Sequence, residues 1–129
     1  MGFTSGRYRA DKQNMNHERV ELWLEAMESG RYPQCFGYIH DYSYKAEKLR
    51  VCAVGVAYAV YLEAHNFAVT SQTMSMISRQ DVSSWYGVAD VDLLIEILPG
   101  GDFTSVICLN DAHKQPFPSI AQQIRKEYF

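Results

Sequence analysis

The sequence predicts an α+β domain in which a small antiparallel sheet packs against three to four helices. Residues 20–27 and 117–124 each repeat apolar side chains at i, i+3, i+4 and i+7, the period of a helix with one buried face. Between them, short runs of β-branched and aromatic residues are bounded by Gly, Pro, Asn and Asp, as is typical of strands joined by turns. We expect both apolar helical faces to pack on the sheet.

The first helix has clear predicted ends. Residues 1–15 are polar and basic and are expected to be a flexible arm, so that the domain spans residues 16–129. Asn16 precedes the helix and is a good N-cap, because its side chain can accept a bond from a backbone N–H group. Gly30 follows the helix and is expected to adopt the left-handed conformation that ends many helices.

The centre of the chain is predicted to contain two strands and a buried helix. Residues 35–40 and 48–54 have strand composition, and the polar residues 41–47 are predicted to join them as a hairpin connection. Gly55 is expected to let the backbone pass close to another element. Residues 56–65 are apolar on nearly every side, which predicts a buried central helix.

The second half of the chain gives weaker patterns. Residues 70–84 have a thin apolar stripe and predict one short helix. Residues 91–98 predict a strand, and residues 99–102 carry the Pro-Gly-Gly-Asp composition of a turn. On propensity alone, residues 103–109 predict a returning strand.

Bulk composition disfavours several classes of partner. A net charge of −3 gives no electrostatic reason to bind nucleic acid. No apolar run is long enough to span a bilayer, and the N-terminus lacks the apolar stretch of a signal peptide, so we expect a cytoplasmic protein with no membrane partner. No cofactor motif is present, and no cofactor is expected.

Cysteine and histidine spacing predicts neither a disulfide nor a metal site. Cys35, Cys52 and Cys108 are an odd set without a close pair, which favours free thiols. The four histidines show no pair at metal-ligand spacing. Cys52 lies among apolar residues, and we expect it to be an inert buried thiol.

His40 and Asp41 are the fallback candidates for acid–base catalysis. A histidine beside a carboxylate has the right chemistry, but neighbours in a strand point to opposite faces of the sheet.

Asn110 and Asp111 precede the last helix. They are predicted to form either a connecting loop or a polar rim beside the helix that contains Trp23. No nucleophile–base–orienter set is visible, so we expect binding rather than catalysis.

Several motifs resemble a family of small bacteriophage and prophage proteins. They are Trp23-Leu24-x-Ala26-Met27-x-Ser29-Gly30-x-Tyr32-x-Gln34, Phe36-Gly37-Tyr38-Ile39, Cys52-Ala53-Val54-Gly55-Val56, Leu109-Asn110-Asp111 and Phe117-x-x-Ile120-Ala121-x-x-Ile124. The family often has two adjacent cysteines at this point, whereas this chain has Cys52 followed by Ala53. The missing second cysteine argues against a function that depends on thiol chemistry. The resemblance implies a phage origin and a helix, rather than a strand, over residues 103–109.

Three functions compete at this stage. The first is a non-catalytic phage accessory protein that binds a host protein or a small nucleotide signal and counters host defence. The second is a small hydrolase or transferase that acts on a nucleotide through His40 and Asp41, and the third is a virion component. Nine tyrosines supply rigid contact area and favour a homo-oligomer. The predicted ligand or partner contacts are Trp23, Tyr32, Tyr38, His40, Asp41, Asn110 and Asp111.

Overall fold

The structure, a computed structural model, describes residues 14–43, 47–98 and 101–129. These residues form six helices and two two-stranded antiparallel sheets, which confirms the predicted α+β class. In chain order the elements are α1 (His17–Ser29), β1 (His40–Ser43), β2 (Lys48–Val51), α2 (Ala53–Ala64), α3 (Ser71–Met76), α4 (Arg79–Tyr86), β3 (Leu94–Leu98), β4 (Asp102–Ser105), α5 (Val106–Asp111) and α6 (Phe117–Tyr128).

The core is built around α2. Every residue from 53 to 60 is buried, because the helix is apolar on all sides and has neighbours all around it. α1 packs against α2, α4 and α6, while α6 also packs against β3 and α5. Trp23 and Ile120 are both fully buried, so the two predicted apolar faces do form core. The face of α1 packs mainly on helices rather than on a sheet.

Both predicted ends of α1 are confirmed. The Asn16 side chain accepts a bond from the backbone N–H of Arg19 at 3.1 Å. Gly30 has φ of 76°, in the left-handed region. Of the predicted flexible arm, residues 1–13 lie outside the described residues, whereas Met15 is buried in the core.

The strand predicted over residues 35–40 is wrong over most of its length. Gln34 makes an isolated parallel bridge to Val51, but Gly37 then turns the backbone through φ of 86°, and β1 begins only at His40. β1 continues to Ser43, inside the predicted connection, whose residues 44–46 lie outside the described residues.

The second predicted strand and the helix after it meet earlier than the sequence predicts. β2 ends at Val51, and α2 begins at Ala53 rather than at residue 56. The Cys52 sulfur accepts a bond from the N–H of Gly55 at 3.3 Å and so acts as an N-cap. Propensity rules give little weight to cysteine in that role.

The one short helix predicted over residues 70–84 is two helices, α3 and α4. Thr70 caps the first, and its hydroxyl accepts a bond from the N–H of Thr73 at 3.0 Å. Ser78 caps the second, and its hydroxyl accepts a bond from the N–H of Asp81 at 3.0 Å. Each cap satisfies N–H groups that a helix leaves without an internal partner.

Residues 103–109 change from strand to helix, so both interpretations of this segment are right in part. β4 ends at Ser105, whose hydroxyl accepts a bond from the N–H of Cys108 at 3.2 Å and starts α5. The Asp92 carboxylate reaches across from another segment and accepts a bond from the N–H of Ile107 at 2.7 Å. This second cap is a tertiary contact and leaves no local sequence signal.

The last turn of α6 is fixed to the outer edge of β3. The Tyr128 hydroxyl donates to the Leu94 carbonyl at 2.6 Å, and the Glu127 carboxylate accepts from the Glu96 N–H at 3.1 Å. These two contacts hold α6 against the β3–β4 hairpin.

Within the described ranges, no helix combines the length and the apolar content needed to cross a membrane.

Gly55 gives the first stability test. A Cβ atom there would lie 2.2 Å from the Ile39 carbonyl oxygen and 2.9 Å from the Val51 Cβ atom. Because the first of these is backbone, Gly55→Ala should lower the free energy of unfolding by about 3 kcal/mol or more. Chemical denaturation measures this loss. Gly101→Ala is the matched control, since no atom of the described residues lies within 4 Å of a Cβ atom there, and its effect should stay within about 0.5 kcal/mol.

A second test concerns the ion pairs between α1 and α6. Arg125 donates two bonds of 2.6 Å to Glu21 and also pairs with Glu28 at 2.7 Å. The hydrogen bond from Arg125 lowers the pKa of Glu21 below its usual value. A lowered pKa in the folded state means that this stabilisation is present above the unfolded-state pKa and is lost as the pH falls through the folded-state pKa.

Arg125→Met should therefore lower the melting temperature at pH 7, and the difference from wild type should shrink as the pH falls below about 4. Thermal melts between pH 3 and pH 7 measure this. Lys126→Met removes the same charge from the next residue, which makes no ion pair among the described residues, and should change the melting temperature little. A difference that is constant with pH would contradict the assigned role of Glu21.

Candidate functional site

Trp23, predicted as a ligand contact, is a core residue. Its side chain has 0% exposure, and its indole N–H donates to the Ala53 carbonyl at 2.9 Å. The ring also packs against Tyr86, with centroids 5.5 Å apart. A ligand cannot reach this side chain without opening the core.

Asn110 is also buried, and all of its side-chain bonds are made within the protein. Its Oδ1 accepts from the N–H of Ala53 at 3.1 Å and from Gln34 at 2.8 Å. Its Nδ2 donates to the Cys35 carbonyl at 2.9 Å and to the Asp111 carboxylate at 2.7 Å. Asn110 therefore ties three segments of the chain together, and Asp111 helps to orient it.

His40 and Asp41 do not form a catalytic pair in this structure. Asp41 receives two bonds from Arg50, at 2.8 and 2.7 Å, across the β1–β2 ladder. His40 lies next to α3, where its Nε2 is 3.3 Å from the Ser75 hydroxyl. The same hydroxyl lies 2.9 Å from the Ser71 carbonyl, to which it donates. The His40 Nδ1 atom is buried and has no partner among the described residues.

The two predicted tyrosines have different surroundings. Tyr38 is 68% exposed on the loop before β1. The Tyr32 hydroxyl donates to Glu63 at 2.5 Å, and Arg31 binds the same carboxylate oxygen at 2.7 Å. Burial and the Glu63 hydrogen bond raise the pKa of Tyr32 above its usual value. Arg31 and Glu63 also border a shallow groove of about 400 Å³ between α1 and α2.

The seven predicted contacts are thus spread over separate regions. Trp23 and Asn110 meet at the start of α2, Tyr32 lies near the end of that helix, and His40 and Asp41 take part in different contacts of β1. The structure does not bring them together around one cavity.

A larger cleft lies elsewhere, between the β3–β4 hairpin, the loop before α6, and α6. We call it the hairpin–α6 cleft. Its volume is about 580 Å³, within the range of small-molecule sites. It is lined by Ile95, Glu96, Ile97, Thr104, Leu109, His113, Gln115, Gln123, Lys126 and Glu127.

The hairpin–α6 cleft combines an apolar base with a polar rim. Ile95 and Leu109 are buried, and Ile97 is 57% exposed. On the rim, the Gln115 side-chain carbonyl accepts from the Ser119 hydroxyl at 3.1 Å and from the Gln123 amide. These bonds orient the two glutamine side chains relative to each other.

None of the cleft residues was predicted from the sequence as a site residue. On α6, Gln123 and Lys126 lie beside the buried stripe and have the composition of an ordinary helix surface. The amphipathic pattern of α6 was the available sequence signal. It predicts that one face of the helix is buried, but it does not predict which element packs beside that face.

In the part of the chain that the structure describes, no group of three or more His, Cys, Asp or Glu side chains can hold a metal ion.

The two buried thiols are poor nucleophiles. Burial, together with the nearby Asp41 carboxylate, raises the pKa of Cys35 to about 12. Burial also raises the pKa of Cys52 to about 11, against the effect of bonds from backbone N–H groups. Thiol chemistry needs the thiolate, and at neutral pH both sulfurs stay protonated.

Comparison with protein-family models, with curated proteins and with solved structures finds no match to this chain. The candidate site is therefore defined by the geometry of the chain itself, and the resemblance to phage proteins stays a prediction.

Thiol alkylation checks these assignments. At pH 8, a pKa of about 11 leaves about one Cys52 in a thousand as thiolate. Iodoacetamide should therefore modify only the exposed Cys108 rapidly in the folded protein, and Cys108→Ser should remove that fast reaction. Peptide mass spectrometry follows the alkylation of each cysteine separately. Rapid modification of Cys35 or Cys52 at pH 8 would contradict their burial.

Proposed function

We propose that this protein binds a small polar molecule in the hairpin–α6 cleft and does not transform it. The observation that carries the proposal is the cleft itself, about 580 Å³ in volume, lined by buried Ile95 and Leu109 and by hydroxyl, amide, imidazole, ammonium and carboxylate groups. Small-molecule sites typically combine an apolar lining with a few fixed polar groups.

The fixed geometry of the cleft supports binding. The Glu127 and Tyr128 contacts hold α6 to β3, and the paired glutamines are already ordered. A site that needs little rearrangement loses little conformational entropy when a ligand enters.

The chemistry of the other candidate residues favours binding over catalysis. Asp41 is held by Arg50, and His40 contacts Ser75 instead of sharing a site with that carboxylate. The two buried thiols are protonated at neutral pH. The hydrolase or transferase alternative through His40 and Asp41 therefore lacks the base–orienter contact that such catalysis uses.

A binding protein of this kind fits the phage interpretation of the sequence. A phage accessory protein that holds a small nucleotide signal in the host cytoplasm would lower the free concentration of the signal and blunt a defence that depends on it. Binding of a host protein, a virion role and homo-oligomerisation stay predictions.

Blocking the cleft tests the proposal. Thr104 lines the cleft from β4, and Thr104→Trp fills the space with a residue that strands accept. Native mass spectrometry of protein purified from its host cell should show a retained small molecule in the wild type, which the variant should lose. Phe103→Trp is the matched control, because Phe103 is the preceding residue of the same strand, does not line the cleft and is exposed.

The experiment separates the competing functions. Retention of the same molecule by Thr104→Trp would place the ligand outside the cleft and contradict the proposal. Conversion of the released molecule during incubation with the wild type would show catalysis, and the enzyme alternative would then replace the binding function.

A further inference from the structure

The orientation of the Gln123 side-chain amide is fixed by its neighbours. Its nitrogen lies 3.4 Å from the Ser119 backbone carbonyl, which can only accept a hydrogen bond. The atom that faces this carbonyl must therefore be the amide nitrogen. The same nitrogen donates to Gln115, so the Gln115 atom that faces it must be the side-chain oxygen.

This arrangement leaves a donor and an acceptor for the cleft. The Gln115 oxygen is already bound by Ser119 and Gln123, while the Gln115 Nε2 atom has no partner among the described residues. The Gln123 Oε1 atom likewise has none. Both residues line the hairpin–α6 cleft and are half-buried. The cleft thus presents one amide donor and one amide acceptor on ordered side chains.

We propose that this pair recognises the lactam edge of a nucleobase, so that the ligand is a nucleotide of uracil, hypoxanthine or guanine. This rests on the proposed function, in which the cleft takes a small molecule. The N–H of the lactam donates to the Gln123 Oε1 atom, and its carbonyl accepts from the Gln115 Nε2 atom. Buried polar groups discriminate well between ligands, because a mismatched ligand leaves them without a partner.

A lactam edge fits the donors of the cleft better than the edge of an amino base does. A carbonyl oxygen has two lone pairs, whereas the ring-nitrogen acceptor of cytosine or adenine has one. The cleft offers an N–H group of the Gln115 amide, and the Lys126 ammonium lies on the same rim. A carbonyl oxygen can accept from both groups at once, whereas an amino group, as a donor itself, cannot accept from the ammonium.

The remaining lining suits the rest of a nucleotide. Ile97 offers exposed apolar surface, beside buried Ile95 and Leu109, against which a planar base can pack. Glu96 and Glu127 also line the cleft, so the phosphate is placed toward solvent, away from these carboxylates, while Lys126 serves the carbonyl of the base. The volume of about 580 Å³ is large enough for a nucleotide.

The test compares ligands that differ at this edge only. UMP and CMP have the same sugar and phosphate but opposite donor–acceptor order at positions 3 and 4 of the base. IMP and AMP form a second pair that differs only at positions 1 and 6, GMP adds a 2-amino group to IMP, and N3-methyl-UMP removes the lactam donor. Isothermal titration calorimetry should show UMP binding about tenfold or more tightly than CMP or N3-methyl-UMP, and IMP about tenfold more tightly than AMP.

Gln115→Glu replaces the Nε2 donor with an oxygen acceptor while keeping an oxygen for Ser119 and Gln123. This change should weaken the binding of UMP about tenfold and affect the binding of CMP much less. The preference for UMP over CMP should therefore be lost. Gln122→Glu adds the same charge to an exposed position of α6 outside the cleft and should preserve the preference. Thermal melts confirm that both variants are folded, and the wild-type ligand pairs provide a test that does not depend on either variant.

The outcomes separate this inference from the proposed function. Equal binding of UMP and CMP that is lost in Thr104→Trp would overturn the lactam assignment and leave the cleft as the site. Binding of inorganic phosphate as tight as that of UMP, or no binding of any nucleotide, would also overturn the assignment. Nucleotide binding that Thr104→Trp does not affect would contradict the proposed function as well.

Discussion

The buried first turn of α2 is the constraint on which the rest of the fold depends. A helix begins with N–H groups that have no partner inside the helix, and here the turn lies in the core, away from water. Asn110 binds the N–H of Ala53, and the Cys52 sulfur binds the N–H of Gly55. Trp23 donates to the Ala53 carbonyl, so α1, α2 and α5 meet around this one residue. Loss of the Asn110 or the Cys52 acceptor leaves a buried N–H group at the start of α2 unsatisfied.

Several features of the fold could be predicted because they depend on local patterns. The apolar period of α1 and α6, the Asn16 cap and the left-handed Gly30 are all encoded within a few residues of chain. Two of the failures occur where a distant contact decides. Asp92 helps to start α5 from another segment, and Asn110, 57 residues away in the chain, binds the N–H of Ala53 at the start of α2. Propensity cannot register such partners.

The candidate site was harder to predict than the fold, for a related reason. Trp and Asn are favoured in binding sites because they combine contact area with hydrogen bonding, and the same properties make Trp23 and Asn110 good core connectors. Gln115 and Gln123 look like ordinary surface residues in the sequence. Their importance arises only because β3 and α6 stand opposite each other and the two amides orient each other.

The contacts of Glu127 and Tyr128 with β3 also bear on aggregation. They occupy the Glu96 N–H and the Leu94 carbonyl, backbone groups on the outer edge of a strand. An open strand edge is a template on which a strand from another molecule can add. The last turn of α6 thus stands where such a strand would pair. Fraying of this turn would let neighbouring molecules join edge to edge, which links the solubility of the protein in a crowded cell to the integrity of a single helical turn.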